Sequence, residues 1–120
     1  MKNTYLQLAQ MVSGALVAVL LGIHIAVQQS SVILGFFGVK VADPLTFSSM
    51  MERARQGTWA GIYISLLALG LFHGLNGLRN ILLELNFSAA TMRVLTALII
   101  VFGVIFLALG TYAPLVLLGR

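Results

Sequence analysis

The sequence of 120 residues has no cysteine, and only 8% of its residues are charged. Without a thiol, the chain has no disulfide, no thiolate metal site and no cysteine ligand for an iron–sulfur cluster. Soluble domains carry about 25% charged residues, so the low charge excludes an ordinary water-soluble domain. The seven Lys and Arg are scattered singly, which gives no basic cluster for nucleic acid. Anionic lipid headgroups or a partner subunit explain the net charge of +4 more simply.

Apolar residues fill the sequence instead, at 60% of the chain with a mean hydropathy of +1.04. We predict one all-α membrane domain with three transmembrane helices at about 6–28, 57–83 and 89–113, and an interfacial loop at 29–56. Each predicted helix is long enough for a hydrocarbon core of about 30 Å. No small-residue cleavage site follows the N-terminal apolar run, which indicates a retained first helix.

Capping and turn residues mark the predicted helix ends. Ser88 is placed to cap the third helix, and Pro114 marks its far end. In the loop, Asp43 followed by Pro44 signals a turn, and Ser48 or Ser49 is placed to cap a short helix.

The stretch LFHGLNGLRNILLEL, residues 71–85, is unusually polar for a membrane helix. At about 100° per residue, four of its residues share one narrow stripe: His73, Gly77, Asn80 and Glu84. Arg79 points about a third of a turn away. Polar groups in such helices seldom face lipid, so the stripe is expected to face protein, water or a cofactor.

The two histidines are predicted to lie at different depths. His24 is about 27 Å from the N-terminal side and His73 about 15 Å from the same side, a difference on the order of 10 Å. Two axial ligands of one haem need nearly equal depth. If both histidines bind haem, they bind two haems, each completed by a histidine of another subunit. Alternatively, each hydrogen-bonds a backbone carbonyl or a serine on a neighbouring helix.

The residues near His73 allow two interpretations, a bound porphyrin or a helix end that reaches water. Gly77, one turn away, leaves room for a porphyrin edge. Asn80 and Glu84 lead toward the membrane surface, where propionates, a quinone headgroup or water would lie. Arg79 is expected to snorkel to the interface, with propionate pairing as the second interpretation. The second helix also holds five glycines, which indicates close packing against helices or a flat ligand: Gly57, Gly61, Gly70, Gly74 and Gly77.

The pattern His73-x3-Gly77-x6-Glu84 resembles the second-helix signature HxxxGxxxxxxD of a known family. That family comprises the small membrane-anchor subunits of succinate dehydrogenase and fumarate reductase. Ser13-Gly14 in the first helix and a histidine near that helix's outer end are also similar to these anchors. The length and spacing of the three predicted helices match the family over the whole chain.

The resemblance implies a haem-binding subunit of a respiratory complex. The N-terminus would face the cytoplasm of a prokaryote, and the chain would form a helix bundle with a second anchor subunit in the cytoplasmic membrane. A flavoprotein and an iron–sulfur subunit would attach, passing electrons from succinate, a tricarboxylic acid cycle intermediate, to membrane quinone. His73 would ligate the b-type haem nearer the iron–sulfur subunit, and His24 a second, distal b-type haem. The chain alone would not be an enzyme, because it has no flavin, cluster or dicarboxylate site.

Three departures from the family pattern concern the quinone. Glu84 replaces the usual aspartate, and Leu85 replaces the tyrosine that follows it in some members. Met11 and Val12 stand where an arginine often precedes Ser-Gly. Most quinone ligands are therefore expected from other chains, with Gln10, Ser13 and Glu84 as this chain's candidates.

Other functions remain open from the sequence alone. The chain fits a fumarate reductase anchor equally well, since direction of catalysis is not encoded here. It also fits a haem-free structural anchor. A small transporter with a polar path along residues 73, 76, 80 and 84 is less favoured, because Asn76 lies about 60° off the stripe and the third helix has no matching polar face.

Overall fold

The structure, a computed structural model, describes residues 4–118, and these contain five helices and no strand. The helices are α1 (Thr4–Gln28), α2 (Ser30–Phe36), α3 (Phe47–Ala54), α4 (Gly57–Glu84) and α5 (Ala89–Leu117). Three of them, α1, α4 and α5, have 25, 28 and 29 residues and are long and apolar enough to cross a membrane. The prediction of an all-α chain with three helices that are long and apolar enough to span a membrane is therefore confirmed for residues 4–118.

Helix caps follow the local hydrogen bonds of Ser and Thr. The Ser88 hydroxyl accepts from the backbone N–H of Thr91 at 3.2 Å, so Ser88 caps α5 as predicted. In the loop, Thr46 caps α3 by accepting from the N–H of Ser49 at 3.3 Å. The predicted caps Ser48 and Ser49 are wrong, because both already lie inside α3, whereas a cap needs the extended backbone that Thr46 has.

Helix α5 continues past Pro114 to Leu117, four residues beyond the predicted end at 113. Proline lacks the N–H of one helical hydrogen bond, but membrane helices tolerate this loss. One turn before it, the Thr111 hydroxyl donates to the carbonyls of Leu107 and Ala108 at 2.8 and 3.2 Å. The helix therefore persists through the proline and ends only in its next turn.

The three long helices form an open row with α4 in the middle. Helices α1 and α5 each pack along α4 and hardly touch each other. The buried residues among those described are Ser13, Pro44 and Ala60. The outward faces are apolar, and contiguous apolar surface of this extent is matched by lipid or by a partner protein rather than by water.

Glycines set the contact between α4 and α5. A Cβ at Gly103 would lie 2.9 Å from Cδ1 of Leu75, and Leu67 crowds Gly110 still more closely. Both leucines therefore occupy space that only glycine leaves open. Three glycines of α4 make no such contact with the rest of residues 4–118, where no atom lies within 4 Å of an added Cβ: Gly61, Gly70 and Gly74. The described helices of this chain therefore supply no packing partner for these three glycines, and the expected close packing against helices or a flat ligand stays a prediction there.

The segment between α1 and α4 is folded onto itself. Only Gln29 separates α1 from α2, and Gly38, with φ of 79°, allows the turn after α2. The predicted turn at Asp43 is present, since its carboxylate accepts from the N–H of Leu45 at 2.9 Å. Arg53 of α3 donates to the carbonyl of Pro44 at 2.6 Å, which ties the turn to the helix that follows.

A cysteine pair tests the packing of α4 on α5. Because the chain has no native cysteine, Leu67→Cys with Gly110→Cys introduces the chain's only thiols. We expect this pair to form a disulfide in oxidised membranes, measured by the change in gel mobility on reduction. The control pair, Leu67→Cys with Gly103→Cys, moves one thiol by about 10 Å along α5 and should remain mostly reduced. Equal yields from the two pairs would contradict this packing.

Candidate functional site

A cluster of polar side chains joins α1 to α4 inside the apolar row. The Gln10 amide uses both of its ends: Nε2 donates to the His73 carbonyl at 3.0 Å, and Oε1 accepts from Nδ2 of Asn76 at 2.8 Å. The Ser13 hydroxyl donates to the Gln10 carbonyl at 3.0 Å and lies 3.4 Å from Nδ1 of His73. Four polar residues thereby satisfy one another away from lipid, as membrane helices require.

The cluster determines which nitrogen of His73 carries the proton. Nδ1 lies 3.0 Å from the Gln10 carbonyl oxygen. A carbonyl only accepts, so this hydrogen bond requires the hydrogen on Nδ1. In the neutral ring, Nε2 then keeps a lone pair, and it makes no hydrogen bond among the described residues. This is the arrangement of metal-binding histidines, whose second ring N–H usually donates to a carbonyl or carboxylate.

Two glycines allow the helices to approach at the cluster. A Cβ at Gly14 would lie 2.7 Å from Cε1 of His73, so the ring rests directly on the α1 backbone. A Cβ at Gly77 would lie 3.0 Å from Nε2 of Gln10. The space beside Gly77 thus holds the Gln10 amide, and a haem-packing role for Gly77 depends on the family resemblance alone.

The rest of the predicted stripe is not gathered around His73. Asn80 and Glu84 are exposed, and Glu84 lies eleven residues, about 16 Å, along α4 from the histidine. Among the quinone candidates, Gln10 and Ser13 are engaged in the cluster and Ser13 is buried. The structure does not bring Glu84 together with them.

Arg79 points away from the stripe, as its position on the helix predicts. Its Nε donates to the hydroxyl of Thr96 on α5 at 3.2 Å. The arginine is half-buried and lies on the opposite side of α4 from Gly70, nine residues or about 180° earlier. It therefore belongs to the contact between α4 and α5, whereas His73 belongs to the contact between α1 and α4.

His24 lies in a separate, smaller cluster. Its Nε2 lies 2.9 Å from the Gln28 side-chain nitrogen, and its ring meets Tyr63 edge-on with centroids 5.6 Å apart. Its Nδ1 is buried and has no hydrogen-bond partner among the described residues. In this rotamer neither ring nitrogen is free to bind a ligand, so the ring would have to turn or release Gln28 to do so.

The contacts fix the relative depth of the two histidines. His73 is level with Gly14, and His24 is level with Tyr63. Gly14 to His24 on α1 and Tyr63 to His73 on α4 each span ten residues, about 15 Å along a helix. Two ligands so far apart cannot bind one iron, in agreement with the depth difference expected from the sequence.

A lone histidine, His73, is the strongest candidate metal ligand of this site. The described residues contain no group of three or more His, Cys, Asp or Glu that could hold a metal ion by themselves. A haem iron, held mainly by its porphyrin, needs only one or two axial ligands. His73 fits that need by its free Nε2, and His24 fits it less well.

No family model matches this chain, and no curated protein or solved structure matches it. Function therefore has to be inferred from the site's own chemistry and from the motif resemblance.

Three contributors to the site have only weak signals in the sequence. The Gln10 carbonyl is a backbone group, which every residue has, so the sequence cannot single it out. Asn76 lies about 60° off the stripe, but its amide is long enough to reach Gln10. Gly14 has the best signal, because it follows Gln10 and Ser13 closely on an otherwise apolar helix.

Replacing Gln10 tests whether the cluster holds α1 to α4. Gln10→Ala removes two interhelical hydrogen bonds and leaves the Asn76 amide without its acceptor. We expect a loss of about 1 to 2 kcal/mol, measured by helix loss on titrating the chain in mixed micelles with sodium dodecyl sulfate. Gln7→Ala, at an exposed position of the same helix, should have no effect. Adding Asn76→Leu to Gln10→Ala should recover part of the loss, and purely additive effects would contradict the pairing.

Proposed function

We propose that this chain is the small membrane-anchor subunit of a succinate:quinone oxidoreductase and supplies axial histidines to b-type haem. The observation that carries the proposal is the state of His73. Its Nδ1 donates to the Gln10 carbonyl and its Nε2 lone pair is free. The histidine also stands in the motif that resembles the second helix of these anchors. Haem, when bound, would supply one-electron transfer between the iron–sulfur subunit and membrane quinone.

Residues around His73 would set the properties of the ligand. The Gln10 carbonyl fixes the ring orientation and the tautomer that leaves a lone pair on Nε2. Gly14 fixes the height of the ring above α1. Gln10 and Asn76 hold the two backbones in register through a bond of 2.8 Å between their side chains.

The separation of the histidines supports a second anchor subunit as part of the proposal. Since His24 and His73 lie about 15 Å apart along the helices, neither can be the second axial ligand of a haem that the other binds. We assign His73 to one haem and His24 to a distal haem, each with its second axial histidine from the partner. The open row leaves both broad faces of α4 accessible to that partner. Gly70 and Gly74, with no atom within 4 Å of an added Cβ, lie on one of them.

Location and physiological partners complete the proposal. The N-terminus would face the cytoplasm of a prokaryotic inner membrane. The iron–sulfur and flavoprotein subunits would dock at the end of the row where α4 ends and α5 begins. Asn80 and Glu84 lie toward that end, where Glu84 would approach quinone. Arg79 points into the contact of α4 with α5, away from His73, so the proposal gives it no propionate. A fumarate reductase would use the same haems and subunits, with electrons passing from quinol to fumarate.

A haem-free structural anchor is the second candidate, because one observation favours it. The hydrogen bonds of His73 to the Gln10 carbonyl and near Ser13 are those of a histidine that simply joins two helices. The two candidates differ in whether Nε2 binds iron.

Absorption spectroscopy of the complex purified through this chain separates the candidates. We expect a reduced-minus-oxidised spectrum with b-type bands, since a bis-histidine haem gives them in the reduced state. His73→Ala should abolish one component and His24→Ala another, with the two resolved by redox titration. His73→Met should retain the first component at a higher midpoint potential, because a thioether ligand favours the reduced iron.

Subunit levels in the membrane, measured by immunoblot, serve as the control for folding. A wild-type complex without b-type bands would refute haem binding and leave the structural anchor. A signal lost in His73→Ala but unchanged in His24→Ala would restrict the chain to one haem. Equal spectra in all variants at normal protein levels would place every ligand in other subunits.

Gly14 offers an independent test of the ligand geometry. Gly14→Ala places a methyl group 2.7 Å from Cε1 of His73, so the ring must tilt or shift. We expect lower haem occupancy or an altered midpoint potential for the His73 component alone. Gly22→Ala is the matched control, because no atom lies within 4 Å of its added Cβ. Identical spectra for the two variants would mean that the position of the His73 ring does not affect haem binding.

A further inference from the structure

A groove with one polar end lies between α4 and α5, on the face of α4 opposite Gly70 and Gly74. Its volume is about 470 Å³. Its walls are apolar and include Leu75, Ile99 and Leu107, while Asn76, Arg79 and Thr96 stand at one end. The groove is therefore amphipathic along its length, with a cation at the polar end.

The Arg79 charge is not compensated within the described part of the chain. Its Nε donates to Thr96, and its guanidinium meets no carboxylate there. Glu84, the nearest acid along α4, lies five residues on and about 140° around the helix. A half-buried guanidinium beside an apolar wall favours an anion, and its planar fork suits the paired oxygens of a phosphate.

Dimensions of the groove match one leaflet of a bilayer. Arg79 is five residues, about 7.5 Å, from the end of α4, near the level of lipid headgroups. From Thr96 to Leu107 the groove follows α5 for eleven residues, about 16 Å. Half of a hydrocarbon core of about 30 Å is nearly the same length.

We propose that this groove binds an anionic phospholipid, with the phosphate at Arg79 and Thr96 and an acyl chain along α5 toward the middle of the membrane. The charge selects the occupant, because Arg79 has no anionic partner among the described residues and the groove below Asn76 is lined by apolar residues. The inference does not depend on haem, since His73 faces α1 on another side of α4.

Native mass spectrometry of the delipidated complex, titrated separately with phosphatidylglycerol and phosphatidylcholine, tests the proposal. We expect one tightly bound phosphatidylglycerol per chain. Its dissociation constant should be about fivefold below that of phosphatidylcholine, the preference that one interfacial cation gives. Arg79→Gln should abolish the preference. Arg93→Gln is the matched control, because Arg93 is exposed one turn inside α5 and does not line the groove.

A second variant tests the apolar part of the groove. Val104 lines it and is 61% exposed, so Val104→Trp fills the space without disturbing a buried contact. Binding of both phospholipids should then weaken together.

Three results would overturn the proposal. The first is equal affinity for the two lipids in the unmodified protein, or no bound lipid. The second is an equal loss in Arg93→Gln, which would indicate surface charge in general. The third is displacement of the lipid by a stoichiometric short-chain quinone, which would assign the groove to quinone.

Discussion

The need to pair every polar group away from lipid is the constraint on which this structure depends. Four polar residues of two helices, at positions 10, 13, 73 and 76, meet in a network that uses both ends of the Gln10 amide and its backbone carbonyl. Without this network, each helix would carry unpaired amide groups into the bilayer, at a cost of several kcal/mol each. The network therefore sets the register of α1 on α4, and the register places both histidines.

The hydrogen bond that pairs Nδ1 of His73 also leaves its Nε2 available as a metal ligand. The same carbonyl that removes the cost of a buried N–H also leaves the opposite nitrogen with its lone pair. The same hydrogen bond therefore suits a histidine that joins two helices and a histidine that binds a metal through Nε2. His24 differs, because its ring is bonded through Nε2 to Gln28, and its buried Nδ1 has no hydrogen-bond partner in the described part of the chain.

Composition predicted the fold class because a long apolar segment has only one way to satisfy its backbone in lipid, the helix. Helical periodicity likewise predicted that His73 and Gly77 share a face and that Arg79 does not. It could not predict which helix that face meets, since this depends on the register between two helices. Asn76 shows the same limit: the helix angle was right, but the reach of its side chain decided the contact. The glycines of α4 show the same limit. Glycines one turn apart mark a surface that allows close approach, but they do not say what covers it, and the described helices leave Gly61, Gly70 and Gly74 uncovered.

The position of α4 in the middle of the row has a consequence for biosynthesis. During synthesis α1 emerges first, yet the helix against which it packs follows only after α2 and α3. Until α4 enters the membrane, the Gln10 and Ser13 side chains have none of their α4 partners. Helix α5 has no such delay, because α4 precedes it by a connection of four residues, 85–88. Both contacts of the row thus require α4, and α1 is the partner that is already complete when α4 emerges, before α5 is made.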